Sequence, residues 1–163
     1  MVSMRPPSES RSPEPMSGLS PDQSQDGDAR PHLVIVDDDP ELPRLLSLIL
    51  GRTCEIIVAP DGDTALRLIT TRGPDLVISD LEMPGMRGDE LLRRARAIDP
   101  LIASIILSGH SEEWCRGVGG PGSPDAIIQK PFDVRHLQDV VEEVLRQRNL
   151  ALQSEVTSPP APR

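Results

Sequence analysis

Five short apolar runs, each long enough for one β-strand, recur along the middle of this 163-residue chain. Continuous apolar runs of this length are typical of strands buried on both faces. Segments with apolar residues at helical spacing separate the runs, and such alternation predicts a parallel sheet covered by helices on both faces. The chain is therefore predicted to be an α/β protein with five strands and five helices. The runs lie at residues 33–36, 54–58, 76–79, 102–107 and 126–128.

The alternation is confined to residues 32–150, which are predicted to form one domain. Residues 1–31 are rich in Ser, Pro, Asp, Gln and Gly, and they are predicted to be disordered because so few apolar side chains cannot offset the entropy of ordering. Residues 151–163 are predicted to form a second disordered tail. Inside the domain, the glycines and prolines of segment 117–124 limit a fourth helix to one or two turns followed by a loose loop.

Helix boundaries are marked by residues with special backbone preferences. Pro40 suits the first turn of a helix, and Gly51 is expected to end that helix. Asp61 can cap the next helix through its carboxylate, and Gly73 followed by proline is expected to end it.

Composition excludes several classes of function. The formal net charge is −9, and residues 32–150 hold 20 acidic and 13 basic side chains, which argues against binding a nucleic-acid backbone. We find neither a stretch long enough to span a membrane nor a signal-peptide pattern at the amino terminus. Cys54 and Cys115 have no metal-binding spacing, so they are interpreted as free thiols in a reducing, cytoplasmic compartment.

Polar side chains follow four of the predicted strands. Asp37, Asp38 and Asp39 come after the first, and Asp80, Ser108 and Lys130 end the third, fourth and fifth; Lys130 is the only lysine in the chain. The carboxyl ends of parallel strands meet at one edge of a sheet, where ligands bind in open α/β folds. Carboxylates without His or Cys suit Mg²⁺, and a lysine with a hydroxyl suits a phosphoryl group. One carboxylate could then act as the nucleophile that accepts phosphate.

Each residue also has an ordinary structural interpretation. Asp39 could be a helix cap, Ser108 could begin a turn, Asp80 could cap the next loop, and Lys130 could be solvated. The grouping of four such residues at successive strand ends favours a functional site.

Four ordered motifs, at residues 36–40, 78–85, 107–109 and 129–132, resemble the receiver domain of bacterial two-component response regulators. The resemblance implies a flavodoxin-like, doubly wound sheet with strand order 2-1-3-4-5. It also implies that Asp80 accepts a phosphoryl group from a sensor histidine kinase or a histidine phosphotransfer protein and loses it slowly by self-catalysed hydrolysis.

The resemblance further implies a set of site residues. Asp38 would bind Mg²⁺ directly and Asp37 mainly through water, while Asp80 and the backbone carbonyl of Glu82 would complete the protein ligands. Ser108 would bond a phosphoryl oxygen.

The remaining implied roles concern charge pairing, geometry and rate. Lys130 would pair with the phosphoryl group, and its bond to Pro131 would be cis. Glu82 and His110 lie where the family tunes loss of the phosphoryl group, although His110 could equally be an exposed loop residue.

Two features leave alternatives open. Receivers usually carry Tyr or Phe as a rotating switch three residues before the lysine, and this chain has Ile127 there. A pseudo-receiver that binds a partner without cycling phosphate is therefore the main alternative. A hydrolase with an aspartyl-phosphate intermediate would want a second Asp where this chain has Glu82.

Few residues follow Leu150, so the sequence predicts a single-domain receiver without an output module. Such a protein would signal through an unidentified downstream protein, as a monomer or weak homodimer.

Overall fold

The structure, a computed structural model, describes residues 30–109 and 123–157. Strands and helices alternate from residue 32 to residue 108, as the apolar pattern predicts. The elements of the described part are β1 (His32–Val36), α1 (Glu41–Leu50), β2 (Glu55–Ala59), α2 (Gly62–Arg72), β3 (Leu76–Asp80), α3 (Gly88–Ile98), β4 (Ala103–Ser108), β5 (Ala126–Gln129) and α4 (Val134–Thr157).

All five strands form one sheet in the order β2-β1-β3-β4-β5. Every neighbouring pair is parallel, so each connection must cross over the sheet. The flavodoxin-like order implied by the resemblance is confirmed. β1 and β3 are central, which places the segments after them in the middle of the carboxyl edge.

Two hydrophobic layers cover the sheet, because alternate strand residues point to opposite faces. On one face Leu33 and Ile35 of β1 pack with α1 and α4, and on the other Val34 and Val36 pack with α2 and α3. These four side chains are at most 1% exposed. The continuous apolar runs are therefore explained by burial on both sides.

The predicted helix boundaries are confirmed at α1 and α2. Pro40 is the residue before α1, and Gly51 follows its last residue. Asp61 Oδ1 accepts a hydrogen bond from the Thr64 N–H at 2.7 Å, which is the expected capping interaction. Gly73 ends α2 in the left-handed conformation, with φ of 55°, where a residue without Cβ carries little strain.

The last helix is longer than expected. α4 has 24 residues and ends at Thr157, so residues 151–157 are helical and the prediction of a disordered tail from residue 151 is wrong for them. These residues contain neither Gly nor Pro, and the first helix-breaking proline follows only at position 159. Arg148 also ties the helix to the sheet, since its Nη1 lies 2.7 Å from Asp75 Oδ1.

Several predictions fall outside the described residues. They concern almost all of segment 1–31, the short fourth helix with most of its glycine-rich loop, His110, Cys115 and residues 158–163. Cys54, within the described part, is a buried free thiol. No helix between residues 30 and 109 or between 123 and 157 is both long and apolar enough to cross a membrane.

Candidate phosphoacceptor site

Three charged side chains from separate strand ends converge at the carboxyl edge of the sheet. Lys130 Nζ lies 2.5 Å from Asp80 Oδ1 and 3.8 Å from Asp37 Oδ2. The three residues follow or end β5, β3 and β1, so only the parallel topology brings them together. The three side chains are therefore neighbours in the folded chain.

The strand register sets the height of these residues along the edge. Asp80 pairs with Leu107 and Ser108 pairs with Gln129, so β3, β4 and β5 end within a residue of one another. The ladder continues one residue further, because the Lys130 N–H donates to the Ser108 carbonyl at 2.7 Å. The chain then turns through a cis Lys130–Pro131 bond, as the resemblance implies.

Asp37 is the most buried acid of the site, with 5% of its surface exposed. Its Oδ1 accepts a hydrogen bond from the Asp39 N–H at 2.8 Å, whereas Oδ2 is buried and has no hydrogen-bond donor among the described residues. Burial raises the pKa of the Asp37 carboxyl above its ordinary value, although the Asp39 bond and the charge of Lys130 oppose the shift. A buried anionic oxygen without a donor favours the arrival of a cation.

Asp80 has both carboxylate oxygens engaged. Oδ1 contacts Lys130, and Oδ2 accepts a hydrogen bond from the Glu82 N–H at 2.9 Å. The Asp80 side chain is 12% exposed, so it remains reachable from solvent. Glu82 itself is exposed beside it. Asp80 is therefore a carboxylate with a fixed orientation that solvent can reach at the carboxyl edge of the sheet, as a phosphoacceptor requires.

The remaining predicted residues flank these three. Ser108 is fully buried at the end of β4. Asp38 and Asp39 are exposed, and Asp39 Oδ1 accepts a hydrogen bond from the Glu41 N–H at 2.9 Å, which agrees with its interpretation as a helix-start residue. Ile127 is half-buried and packs against the α2–α3 layer, and His110 lies outside the described residues.

The kind and arrangement of the donors at the site decide whether Mg²⁺ fits there. Within residues 30–109 and 123–157, no group of three or more His, Cys, Asp or Glu side chains is arranged to hold a metal ion. The Lys130 ammonium instead lies beside the Asp37 and Asp80 carboxylates. The oxygen-only chemistry and the unsatisfied Asp37 Oδ2 nevertheless suit a hard cation. The donors fit in kind, while a complete side-chain ligand set is not assembled.

Sequence reasoning missed two residues behind Asp80. The Ser79 hydroxyl, fully buried, donates to the Asp80 carbonyl at 2.8 Å. Gly88 begins α3 so close to this carbonyl that an added Cβ would lie 2.2 Å from the oxygen. Ser79 and Gly88 therefore fix the position of the Asp80 carbonyl, one through a hydrogen bond and the other through close packing. A glycine at the start of an amphipathic helix was the signal available for this close approach.

Comparisons with known proteins agree with this geometry. A family model described as the response regulator receiver domain matches residues 33–142. A receiver domain protein from Methanospirillum hungatei superposes with a TM-score of 0.70 at 26% identity, and the match covers 76% of this chain and 99% of that one.

Two curated relatives are larger proteins. The sensor histidine kinase TmoS of Ectopseudomonas mendocina is 31% identical over 141 residues, which cover 85% of this chain and 14% of the kinase. The DNA-binding response regulator MtrA of Mycolicibacterium smegmatis is 33% identical over 118 residues, which cover 72% of this chain and 51% of the regulator. The chain thus spans about a seventh of the length of the kinase TmoS and about half of the length of the regulator MtrA.

Proposed function

This chain belongs to the response regulator receiver family, and from that premise we propose that Asp80 accepts a phosphoryl group from a phosphohistidine donor. The observation that carries the proposal is the contact of Lys130 Nζ with Asp80 Oδ1, beside the buried Asp37. It joins a nucleophile, a cation and a second acid at one reachable edge. The donor would be a sensor histidine kinase or a histidine phosphotransfer protein of a bacterial two-component system.

The transfer is a substitution at phosphorus. An Asp80 carboxylate oxygen forms a bond to phosphorus, the bond from phosphorus to the donor imidazole nitrogen breaks, and its electron pair stays on that nitrogen, which takes a proton. Asp80 is held for this attack by the Glu82 N–H and by Lys130. Once phosphorylated, the side chain gains negative charge, and the Lys130 ammonium is the cation nearest to balance it.

We further propose that Asp37, Asp38, Asp80 and the backbone carbonyl of Glu82 hold Mg²⁺. The unsatisfied buried Oδ2 of Asp37 and the oxygen-only donors support this assignment. The ion would supply positive charge against the phosphoryl oxygens. Lys130 would then lose its ion pair with Asp37 and keep its contact with Asp80, the proposed acceptor.

The Ser108 hydroxyl is proposed to bond a phosphoryl oxygen, and Glu82 and His110 are proposed to tune loss of the phosphoryl group. Output would pass to a downstream protein through surface contacts in the cytoplasm. A second candidate function is a module that binds a partner without phosphate cycling. Ile127 favours it, because an aliphatic side chain cannot act as the family's aromatic switch.

Incubation with acetyl phosphate and Mg²⁺, read by intact mass, tests the proposal. The wild type is expected to gain about 80 Da, the mass of one phosphoryl group. Asp80→Asn should gain nothing, whereas the control Asp63→Asn, an exposed acid on α2, should match the wild type. Absence of the adduct on wild type, or an equal adduct on Asp80→Asn, contradicts phosphoacceptance and leaves the binding module as the better function.

A further inference from the structure

A second candidate site lies at the opposite, amino-terminal edge of the sheet. A cavity of about 270 Å³ opens there, next to the start of β4 at Ala103 and to Asp125 just before β5. Its apolar wall comes from the loop between α3 and β4 and from α4, and it includes Leu101, Ile102 and Val144. The cavity is large enough for a small organic molecule and shares no residue with the Asp80 site.

Two arginines line this cavity from opposite faces of the sheet. Arg96 of α3 lies 2.8 Å from Asp125 Oδ2 through its Nη2, and Arg148 of α4 lies 2.7 Å from Asp75 Oδ1 through its Nη1. The two side chains are only 22% and 13% exposed. Each guanidinium is therefore a largely desolvated cation paired with one carboxylate, and Arg96 Nη2 also donates to the Ser104 hydroxyl oxygen at 2.9 Å.

Both guanidiniums have donors left over. The Nε–H groups of Arg96 and Arg148 are buried and find no acceptor anywhere in the described part of the chain. Arginine carries five N–H donors, and a buried donor without an acceptor is unfavourable. A ligand that brings acceptor oxygens, with a small rotation of each side chain, would relieve this deficit.

Part of the cavity wall lies beyond the family-model match. Gln147, Arg148 and Ala151 lie beyond residue 142, where the match to the family model ends. The long α4 therefore supplies part of the cavity wall from residues outside the family-model match.

We propose that this cavity binds a small organic carboxylate. The planar arginine forks match the two oxygens of a carboxylate, and the apolar wall suits a compact hydrocarbon body. Asp125 on the wall and the formal net charge of −9 disfavour a phosphate dianion, since each would repel a second negative charge. The ligand class is thus a monoanion with an apolar body.

The test is an NMR titration of the full chain with 4-methylpentanoate, followed by amide shifts. Saturable shifts are expected at Leu101, Ala103, Asp125 and Gln147, which surround the cavity. The neutral isostere 4-methylpentanamide should bind at least about tenfold more weakly, because it lacks the charge-assisted bonds. Inorganic phosphate should bind more weakly than the carboxylate.

Two variants and one matched control localise the binding. Arg148→Gln removes one fork, and Ala151→Leu fills the cavity without changing charge; each should weaken binding by about tenfold or more. Arg146→Gln removes an arginine that pairs with Glu143 on the exposed side of the same helix, so binding should stay within about twofold of wild type. Adduct formation on Asp80 should be unchanged in all three.

Each result decides the proposal. Weaker binding in Arg148→Gln and Ala151→Leu with an unchanged Arg146→Gln supports it, and Ala151→Leu alone carries the test if Arg148→Gln does not fold. Absence of saturable shifts, equal affinity for acid and amide, tighter binding of phosphate, or an equal loss in Arg146→Gln overturns it.

Discussion

The two edges of the sheet handle charge in opposite ways. At the carboxyl edge one ammonium, Lys130, pairs with two carboxylates, and the buried Asp37 Oδ2 has no hydrogen-bond donor among the described residues. At the amino edge each guanidinium has its own carboxylate, Arg96 with Asp125 and Arg148 with Asp75. The first edge is left with excess negative charge and can respond to a cation, while the second is balanced in charge and short only of acceptors.

The type of basic residue also differs between the two edges, with a lysine at the carboxyl edge and arginines at the amino edge. Lysine is a compact point charge on a flexible stem, so it can move from a carboxylate to an incoming phosphoryl group. Arginine is a planar fork that suits fixed geometry. The only lysine of the chain lies at the edge where a covalent phosphoryl group is expected to arrive, and Arg96 and Arg148 lie at the opposite edge.

The largest expected effect comes from removing the ammonium at the carboxyl edge. Lys130→Ala should slow adduct formation with acetyl phosphate by about 100-fold, because a positioned charge no longer stabilises the transferring group. Lys130→Arg keeps the charge but replaces a point cation with a fork, so it should accept phosphate more slowly and signal poorly. Intact mass spectrometry gives the initial rate of adduct formation on Asp80 for each of the two variants.

Arg135→Ala, which removes an exposed cation at the start of α4, is the control for general loss of positive charge. A rate for Lys130→Ala within about twofold of this control would contradict the contrast between the edges.

The next expected effect concerns Gly88, which packs against the backbone carbonyl of Asp80 at the carboxyl edge. Gly88→Ala places a Cβ 2.2 Å from the Asp80 carbonyl oxygen, so α3 or the Asp80 loop must shift. We expect a loss of about 1–3 kcal/mol in free energy of unfolding and slower phosphorylation of what remains folded. Urea denaturation and the mass assay measure the two effects.

Gly73→Ala is the control, because its φ of 55° is strained by a side chain while nothing lies within 4 Å of the added Cβ. It should lower stability and leave the phosphorylation rate per folded molecule unchanged. If Gly88→Ala behaves in the same way, Gly88 acts on stability alone.

At the amino edge the reverse pattern is expected. Asp125 Oδ2 accepts from the Ser104 N–H at 2.8 Å and the Ser104 hydroxyl at 2.9 Å, and it pairs with Arg96. Asp125→Asn should cost about 1–2 kcal/mol of unfolding free energy, a range that allows for partial exposure of the pair. Phosphorylation of Asp80 should not change. A slower phosphorylation rate in the folded variant would show that the two edges are coupled.

The smallest expected effect is the pH dependence of the α2 cap, which follows the end of β2 at the carboxyl edge but is not among the residues of the Asp80 site. The hydrogen bond from the Thr64 N–H holds the pKa of Asp61 below its ordinary value of 3.8. Because the folded-state pKa is the lower one, the stabilisation is present above about pH 4 and is lost as the pH falls through the folded value. Asp61→Ala should therefore lower the Tm at about pH 6, and the deficit should narrow towards about pH 3.

Asp61→Asn is the matched variant, since asparagine also caps helices but does not titrate. Its Tm difference from Asp61→Ala should stay constant across the same range. A deficit of Asp61→Ala that does not change with pH would show that the carboxylate charge adds nothing to the cap.

The fold was predictable because its signals are local. Each strand is an apolar run that records burial on both faces, and Asp61 and Gly73 mark helix ends through interactions within a few residues. The end of α4 depends on a distant contact as well as on a local signal, the absence of Gly and Pro from residues 151–158. Its last turns follow Arg148, whose ion pair to Asp75 joins residues 73 positions apart.

By itself the sequence determined which groups stand at the carboxyl edge, because Asp37, Asp80, Ser108 and Lys130 follow or end their strands directly. Only the tertiary structure decided how those groups share charge: that Lys130 contacts Asp80, and that Asp37 keeps an unsatisfied oxygen.

The distance between Gly88 and the Asp80 carbonyl and the arginine-lined cavity were likewise decided by the tertiary structure. The physical reason is range. A strand or a cap is encoded by neighbouring residues, whereas these distances depend on how segments far apart in sequence pack against one sheet.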